Sequence, residues 1–184
     1  MKVRTELINF ADGITLDSGD RLEKFELMIE TYGELNESGS NAILLCHAFS
    51  GNHHAAGKNK ESEIGWWDEI VGPNKAIDTD KYYVVCCNNL GGCGGSSGPT
   101  TINPSSEKPY GKNFPQISVK DWVNSQKVLM DKLGVPYWHL VAGGSLGGMQ
   151  ALEWAISYPN DIKKAGIFAA ASNSSTQNIA LNEV

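Results

Sequence analysis

One serine flanked by glycines is the residue of this sequence best placed to do chemistry. Residues 143–147 read Gly-Gly-Ser-Leu-Gly and match the pattern G-x-S-x-G, with Ser145 at its centre. In this pattern the serine stands on a tight turn between a strand and a helix, and small neighbours let the two elements pass closely. A serine held in this way can attack a carbonyl carbon and carry the acyl group as an ester. Ser145 is therefore the candidate nucleophile.

The segments on either side of this turn supply the elements that the pattern requires. Residues 138–142 are mostly apolar and favour a strand, and residues 146–157 contain no helix breaker. A Gly-rich turn that serves packing alone is the simpler alternative, and the presence of both elements argues against it. A degenerate dinucleotide-binding pattern from Ala142 to Gly147 also fails. The strand predicted at 164–170 ends in Ala-Ser, where a ribose-binding acid is required.

The loop that follows a second apolar run is placed to provide an oxyanion donor for such a serine. Residues 42–46 are continuously apolar, which is typical of a strand buried on both faces, and a loop beginning at His47 follows. Acyl-transfer sites on this architecture take one oxyanion donor from the loop after an early strand and the other from the residue after the nucleophile. We therefore predict that the backbone N–H groups of Phe49 and Leu146 form the oxyanion hole. The alternative, that His47 and Phe49 only end the strand and fill the core, stays open.

The remaining segments predict an open α/β sheet. Residues 25–32 alternate with period two and, with the stretch before them, predict a half-exposed antiparallel strand pair at a sheet edge. Residues 81–89 predict another strand, residues 118–133 an amphipathic helix, and residues 138–170 a strand, helix and strand. The Gly-rich stretch 90–99 lacks the Lys-Ser/Thr end of a phosphate-binding loop, so we read it as a loop close to the active site or as a flexible one. Sites of such sheets lie at the carboxyl ends of the strands.

Composition excludes several classes of function. A chain of 184 residues makes about one domain, and 41% hydrophobic residues are ordinary for a globular protein. The net charge of -6, with no cluster of Lys or Arg, argues against nucleic acid or an anionic membrane as a partner. No apolar run has the length of a membrane span, and the N-terminus lacks the apolar core of a signal peptide. We therefore expect a cytoplasmic protein.

The cysteines predict neither disulfides nor a metal site. Three of the four lie in strongly apolar, strand-like runs: Cys46, Cys86 and Cys87. This placement predicts buried thiols in a reducing compartment. Cys93 with His53 and His54 does not have the spacing of zinc ligands, so we expect no metal, and stoichiometric zinc in a metal analysis would contradict this.

A series of short motifs then narrows the fold and the function. In chain order they occupy residues 32–36 (Tyr-Gly-Glu-Leu-Asn), 46–51 (Cys-His-Ala-Phe-Ser-Gly), 65–68 (Gly-Trp-Trp-Asp), 72–80, 89–93 (Asn-Leu-Gly-Gly-Cys), 98–99, 102–104 and 143–154. Together they resemble the homoserine O-acetyltransferase family, a branch of the α/β-hydrolase superfamily that opens methionine biosynthesis. The resemblance runs nearly end to end and implies an α/β-hydrolase sheet.

The resemblance implies a ping-pong acyl transfer. Ser145 would take an acetyl group from acetyl-CoA, and the hydroxyl of L-homoserine would then accept it. It implies these small-molecule substrates as partners, no permanently bound cofactor, and a homodimer in the full-length family. Phe49 and Ser50 stand where the family is expected to have Leu and Thr, which makes Ser50 a candidate substrate-pocket residue. Succinyl-CoA as the donor, serine as the acceptor, or water in an esterase all stay open.

The family's general base is a His held by an Asp, and both follow the serine. Of the 39 residues after Ser145, Asp161 is the only Asp and none is His. His139 opens the serine strand and His47 belongs to the oxyanion loop, so neither is expected to be the base. We therefore expect residues 1–184 to be the N-terminal part of a single α/β-hydrolase core domain, without the lid and the last strands, and inactive alone. A half-enzyme that needs a partner chain and a non-catalytic fragment are the alternatives.

Overall fold

A six-stranded mixed sheet is the centre of the computed structural model, which describes residues 1–173 and 175–182. In chain order the strands are β1 (Val3–Phe10), β2 (Ile14–Thr15), β3 (Arg21–Leu22), β4 (Phe25–Tyr32), β5 (Ala42–Cys46), β6 (Tyr83–Cys87), β7 (Ile102–Asn103), β8 (Lys108–Pro109), β9 (Leu140–Gly144) and β10 (Ala165–Phe168). The main sheet has the order β1-β4-β6-β5-β9-β10, and β2-β3 and β7-β8 are small separate hairpins. β1 and β4 are antiparallel to their neighbours, whereas β6, β5, β9 and β10 are mutually parallel. The predicted sheet is thus confirmed.

The first helices form where the sequence pattern predicts them. They are α1 (Val119–Lys132) and α2 (Leu146–Ser157), and they pack against each other on one face of the sheet. α1 begins at a capping box, in which the Ser118 hydroxyl accepts the N–H of Asp121 and the Asp121 carboxylate accepts the N–H of Ser118. A third helix, α3 (Thr176–Asn182), lies near the C-terminus and was not predicted. None of the helices in the described ranges is long and apolar enough to cross a membrane.

β4 differs from its sequence prediction. Its alternating pattern predicts a half-exposed strand, but residues 29–32 are all buried. The reason is the long loop between β5 and β6, which covers the face of the sheet opposite α1 and α2. The N–H groups of Ala55 and Ala56 donate to the hydroxyl of Tyr32 at 2.7 and 3.0 Å. The loop between β5 and β6 therefore buries this face of the sheet, as a helix usually does in such folds.

The cysteines follow the prediction. Cys46, Cys86 and Cys87 are buried, Cys93 is exposed, and all four are free thiols. Burial raises the pKa of Cys87 to about 12. The buried thiols therefore act as small apolar side chains of β5 and β6.

Candidate active site

Ser145 stands at the tip of the turn between β9 and α2, on a strained backbone. Its φ of 55° and ψ of -121° lie in a region that non-glycine residues rarely adopt. The residue is exposed. Its N–H donates to the carbonyl of Phe168 in β10 at 3.0 Å, and its carbonyl accepts the N–H of Met149 at 3.1 Å. The predicted strand, turn and helix are all present, and the turn places the serine at the carboxyl end of β9.

The glycines around the serine serve close packing. A methyl group added at Gly147 would overlap the carbonyl oxygen of Cys46, and one added at Gly143 would overlap the backbone of Gly147. β5, β9 and the first turn of α2 thus pass too close to one another for any side chain at these two positions. At Gly144, by contrast, the nearest atom to an added methyl group would be 3.9 Å away.

The two residues predicted to provide the oxyanion donors line one cavity. A cavity of about 750 Å³ is lined by Phe49, Ser50 and Leu146, together with the Gly-rich loop and the start of α1. Within the described part of the chain, neither the N–H of Phe49 nor that of Leu146 has an acceptor. Two free N–H groups beside the serine turn can bind the oxygen that becomes negative when a carbonyl is attacked. Their role as oxyanion donors, and that of Ser50 in the pocket, stay predictions.

His47 holds the oxyanion loop in place. Its Nδ1 lies 2.7 Å from the carbonyl oxygen of Ala48, and its Nε2 accepts the N–H of Asn89 at 3.1 Å. Because a carbonyl oxygen only accepts, the proton must be on Nδ1, and the ring is neutral. Burial lowers the pKa of His47, which agrees with this assignment. With both ring nitrogens occupied, His47 has no free lone pair to act as a base.

A network of buried amide side chains lies beneath this loop, and the sequence did not predict it. Gln126 of α1 donates to Gln150 of α2 at 2.7 Å, and its own oxygen accepts the indole N–H of Trp154 at 2.7 Å. Gln150 in turn donates to the carbonyl of His47 at 3.4 Å. The network ties both helices to the root of the oxyanion loop. Its only sequence signal was a pair of glutamines on helix faces that are otherwise apolar.

A second buried network links the loop between β5 and β6 to β4. Nδ1 of His54 lies 2.7 Å from the Glu30 carboxylate, and its Nε2 lies 3.2 Å from the carbonyl of Glu63. The hydroxyl of Tyr32 also donates to Glu30. Nε2 of His54 must carry a proton to donate to a carbonyl, so this His–Glu pair cannot accept a proton there. A Tyr in the first motif and two adjacent histidines were the only signals in the sequence.

The remaining candidates for a base are His139, Asp161 and His53. His139 precedes β9, at the end opposite Ser145, and its N–H donates to Ala42. Asp161 lies at that same end, where its carbonyl accepts the N–H of Trp138. Burial lowers the pKa of His53, and within the described residues its Nδ1 is buried without a hydrogen-bond partner. Among residues 1–173 and 175–182, the side chain of Ser145 has no His or acid as a hydrogen-bond partner.

The Gly-rich loop after β6 is bonded to β4 at its C-terminal end and lines the cavity at its N-terminal end. The hydroxyls of Ser96 and Ser97 accept the N–H groups of Met28 and Glu26 in β4, at 3.0 and 2.9 Å. Residues 90–94 line the cavity beside Phe49. Of the two readings of this loop, the structure therefore favours a position at the candidate site. In the ranges described here, no group of three His, Cys, Asp or Glu side chains could hold a metal ion.

The β10 side of the site is open. In the described ranges β10 pairs with β9 alone, and 54% of Phe168 and 40% of Ile167 are exposed. The exposed side chains of Ile179 and Leu181 follow in α3. Parallel strands are normally buried on both faces. β10 therefore exposes apolar side chains that a parallel strand usually buries.

Comparisons with known proteins agree with this fold. The family model for the alpha/beta hydrolase fold matches residues 41–182. The chain is 55% identical, over 99% of its length, to the homoserine O-succinyltransferase of Neisseria gonorrhoeae. It covers 48% of that protein, so it spans about half the length of the curated relatives it matches. The resemblance indicated by the sequence motifs is therefore confirmed.

Two solved structures extend the comparison. Esterase E22 matches with a TM-score of 0.88 and 38% identity, covering 99% of this chain and 51% of the esterase. The homoserine O-acetyltransferase from Bacillus anthracis matches with a TM-score of 0.83 and 36% identity, covering 90% of this chain and 46% of that protein. The sequence relative and these two structures thus carry three different activity names on one fold.

Proposed function

The chain belongs to the alpha/beta hydrolase fold family, and we propose that it carries the nucleophile and the oxyanion hole of a homoserine O-acyltransferase. One observation carries this proposal. The exposed and strained Ser145 directly precedes Leu146, which lines one cavity together with Phe49, and among the described residues neither the N–H of Phe49 nor that of Leu146 has an acceptor. The names of the homoserine acyltransferases that match the chain support homoserine as the acceptor.

The proposed reaction has two halves. In the first, the Ser145 hydroxyl attacks the carbonyl carbon of an acyl-CoA thioester and loses its proton to a base, and CoA leaves as the thiol when the base returns the proton. In the second, the hydroxyl of homoserine attacks the acyl-serine and gives up its proton, and Ser145 is released as the free hydroxyl. The N–H groups of Phe49 and Leu146 stabilise the oxyanion in both halves.

Succinyl-CoA is the first candidate for the donor and acetyl-CoA the second. The relative at 55% identity is named a succinyltransferase, whereas the acetyltransferase structure is 36% identical. The motifs alone indicated the acetyl donor. Among the described residues, those that line the cavity include no Asp, Glu, Lys or Arg. Recognition of the succinyl carboxylate therefore falls to neutral groups here or to a part of the protein outside this chain.

The general base must also come from outside this chain. We propose that the rest of the protein, or a second chain, brings a His and an Asp to Ser145 across the open β10 side. Loss of a triad member costs about 10⁴- to 10⁶-fold in turnover, so residues 1–184 alone should be nearly inactive. We further propose a cytoplasmic role in methionine biosynthesis for the whole protein, with a homodimer as its assembly and no permanently bound cofactor.

An esterase is the second candidate function. The likeness to esterase E22 and the exposure of Ser145 favour it, because water can reach an acyl-serine at this position. In that case the acyl group would pass to water, and homoserine would have no effect on the rate.

The test compares this chain alone with a fusion that adds the part of the N. gonorrhoeae relative that the chain does not match. CoA thiol release from succinyl-CoA and acetyl-CoA is followed with and without homoserine, and O-acylhomoserine is identified by mass spectrometry. We expect homoserine-dependent release in the fusion and almost none in the chain alone. Release that homoserine does not accelerate would replace the transferase by a hydrolase. Rapid turnover by the chain alone would refute the need for an added base.

A further inference from the structure

The side chain of Phe49 is almost fully exposed to solvent. Its exposed fraction is 88%, the largest among the large hydrophobic side chains in the described ranges. An aromatic ring left in water gives up the stabilisation that burial would provide. The predicted oxyanion role uses only the backbone of Phe49, and among the described residues no packing contact explains its side chain.

The backbone beneath this ring is firmly held. The N–H of Gly51 donates to the carbonyl of Ala48 at 2.9 Å and closes a turn around Phe49. Before the turn, His47 is held by Asn89 on its ring and by Gln150 on its carbonyl. The ring therefore projects from a fixed point, although it packs against little of this chain. A side chain presented in this way is suited to contact a ligand.

The cavity offers this ring an uncharged and partly apolar environment. Leu90, Ile117 and Trp122 contribute apolar surface to its wall, and Gly91 and Gly92 contribute no side chain. Because no charged side chain among the described residues lines the cavity, we expect apolar contacts and neutral hydrogen bonds to dominate the recognition of an acyl chain here.

We propose that the Phe49 ring selects the acyl donor by packing against the methylene groups of a succinyl chain. The inference rests on the proposed function. If the N–H of Phe49 binds the carbonyl oxygen, the carbons bonded to that carbonyl lie within reach of the same residue's side chain. Succinyl offers two methylene groups there, whereas acetyl offers one methyl group. The positive edge of the ring is also compatible with the terminal carboxylate of succinyl. Phe49 is thus a specificity-determining residue through its ring and an oxyanion donor through its backbone.

The test uses Phe49→Ala and Phe49→Leu in the fusion described above. Both variants keep the backbone N–H, so the oxyanion hole is unchanged. In Phe49→Ala we expect kcat/KM for CoA release to fall about tenfold with succinyl-CoA and less than about threefold with acetyl-CoA, because two methylene contacts are lost. Phe49→Leu places at this position the residue expected in the acetyltransferase family, so it should also lower the ratio of succinyl to acetyl activity, by a smaller factor than Phe49→Ala. Ile64→Ala serves as the control, since Ile64 is 65% exposed and does not line the cavity.

Each outcome bears on the inference separately from the proposed function. An equal loss with both donors, or no loss with either, would overturn the role of the ring. A changed donor ratio in CoA release that does not depend on homoserine would support the ring's role while refuting homoserine as the acceptor. Equal melting temperatures of the variants exclude misfolding as the cause. A wild-type fusion that releases no CoA from either donor would overturn both proposals.

Discussion

β5 and β10 are both parallel neighbours of β9, yet their surroundings are opposite. All five residues of β5 are buried, and the loop that follows it is held by two buried polar networks. β10 has exposed apolar side chains and, in the described ranges, no second neighbour. The loop of the predicted oxyanion donor Phe49 follows the fully buried β5, whereas the N–H of the candidate nucleophile Ser145 donates to Phe168 of the exposed β10. The proposed approach of a base from outside this chain is across the β10 side, where the apolar side chains are exposed.

The strongest test of this contrast is a pair of glycine substitutions around the serine. Gly147→Ala should prevent stable folding or cost more than about 4 kcal/mol, because its methyl group would overlap the Cys46 carbonyl. Gly144→Ala should cost less than about 1 kcal/mol, because its nearest neighbour, the Phe168 carbonyl, would be 3.9 Å away. Urea denaturation followed by tryptophan fluorescence measures both. A loss of less than about 1 kcal/mol in both variants would show that the β5 side is less tightly packed than the structure indicates.

A second pair of variants compares the strands themselves. Leu44→Ala in β5 should cost about 2–5 kcal/mol, because Leu44 is fully buried. Ile167→Ala in β10 should cost less than about 1 kcal/mol in the chain alone, since 40% of Ile167 is already exposed. In the fusion the cost of Ile167→Ala should rise, because an added strand would bury it. An unchanged cost in the fusion would mean that β10 is a true edge strand.

Removing the Tyr32 hydroxyl tests the loop that covers β4. Tyr32→Phe should cost about 1–3 kcal/mol, because the N–H groups of Ala55 and Ala56 lose their acceptor in a buried place. The matched control is Tyr137→Phe, since the Tyr137 ring contacts Lys163 near the surface and its hydroxyl has no such role. Equal effects of the two substitutions would refute the anchoring role of Tyr32.

The smallest expected effect is a pH dependence from His47. Burial lowers the pKa of His47, so below about pH 6.5 the unfolded chain takes up a proton that the folded chain refuses. The free energy of unfolding should therefore be constant above this pH and fall below it, by at most about 1.4 kcal/mol per pH unit for this group. His47→Gln keeps one donor and one acceptor but does not titrate. Urea titrations at pH 7.5 and 5.5 should show a smaller loss in this variant than in the parent chain, and an equal loss would assign the effect to another group.

Local patterns were enough to predict most of the elements and the candidate nucleophile. The G-x-S-x-G turn, the apolar run of β5 and the helical period of α1 each act over a few neighbouring residues. α3 escaped because it has little apolar pattern and packs against little. The burial of β4 escaped because a loop more than twenty residues away along the chain covers it. The roles of His47, Gln126 and Gln150 escaped because their partners come from different elements.

The sequence by itself determined which serine is the nucleophile candidate, the order of the strands along the chain, and the absence of any His after Ser145. These properties depend on residue types and on spacing within short segments. Only the tertiary structure decided that Phe49 and Leu146 line one cavity, and that the ring nitrogens of His47 and His54 already form hydrogen bonds. It also decided that the Phe49 ring stands exposed on a fixed loop. These properties arise from contacts between segments up to about a hundred residues apart, where spacing along the chain carries no information about distance in space.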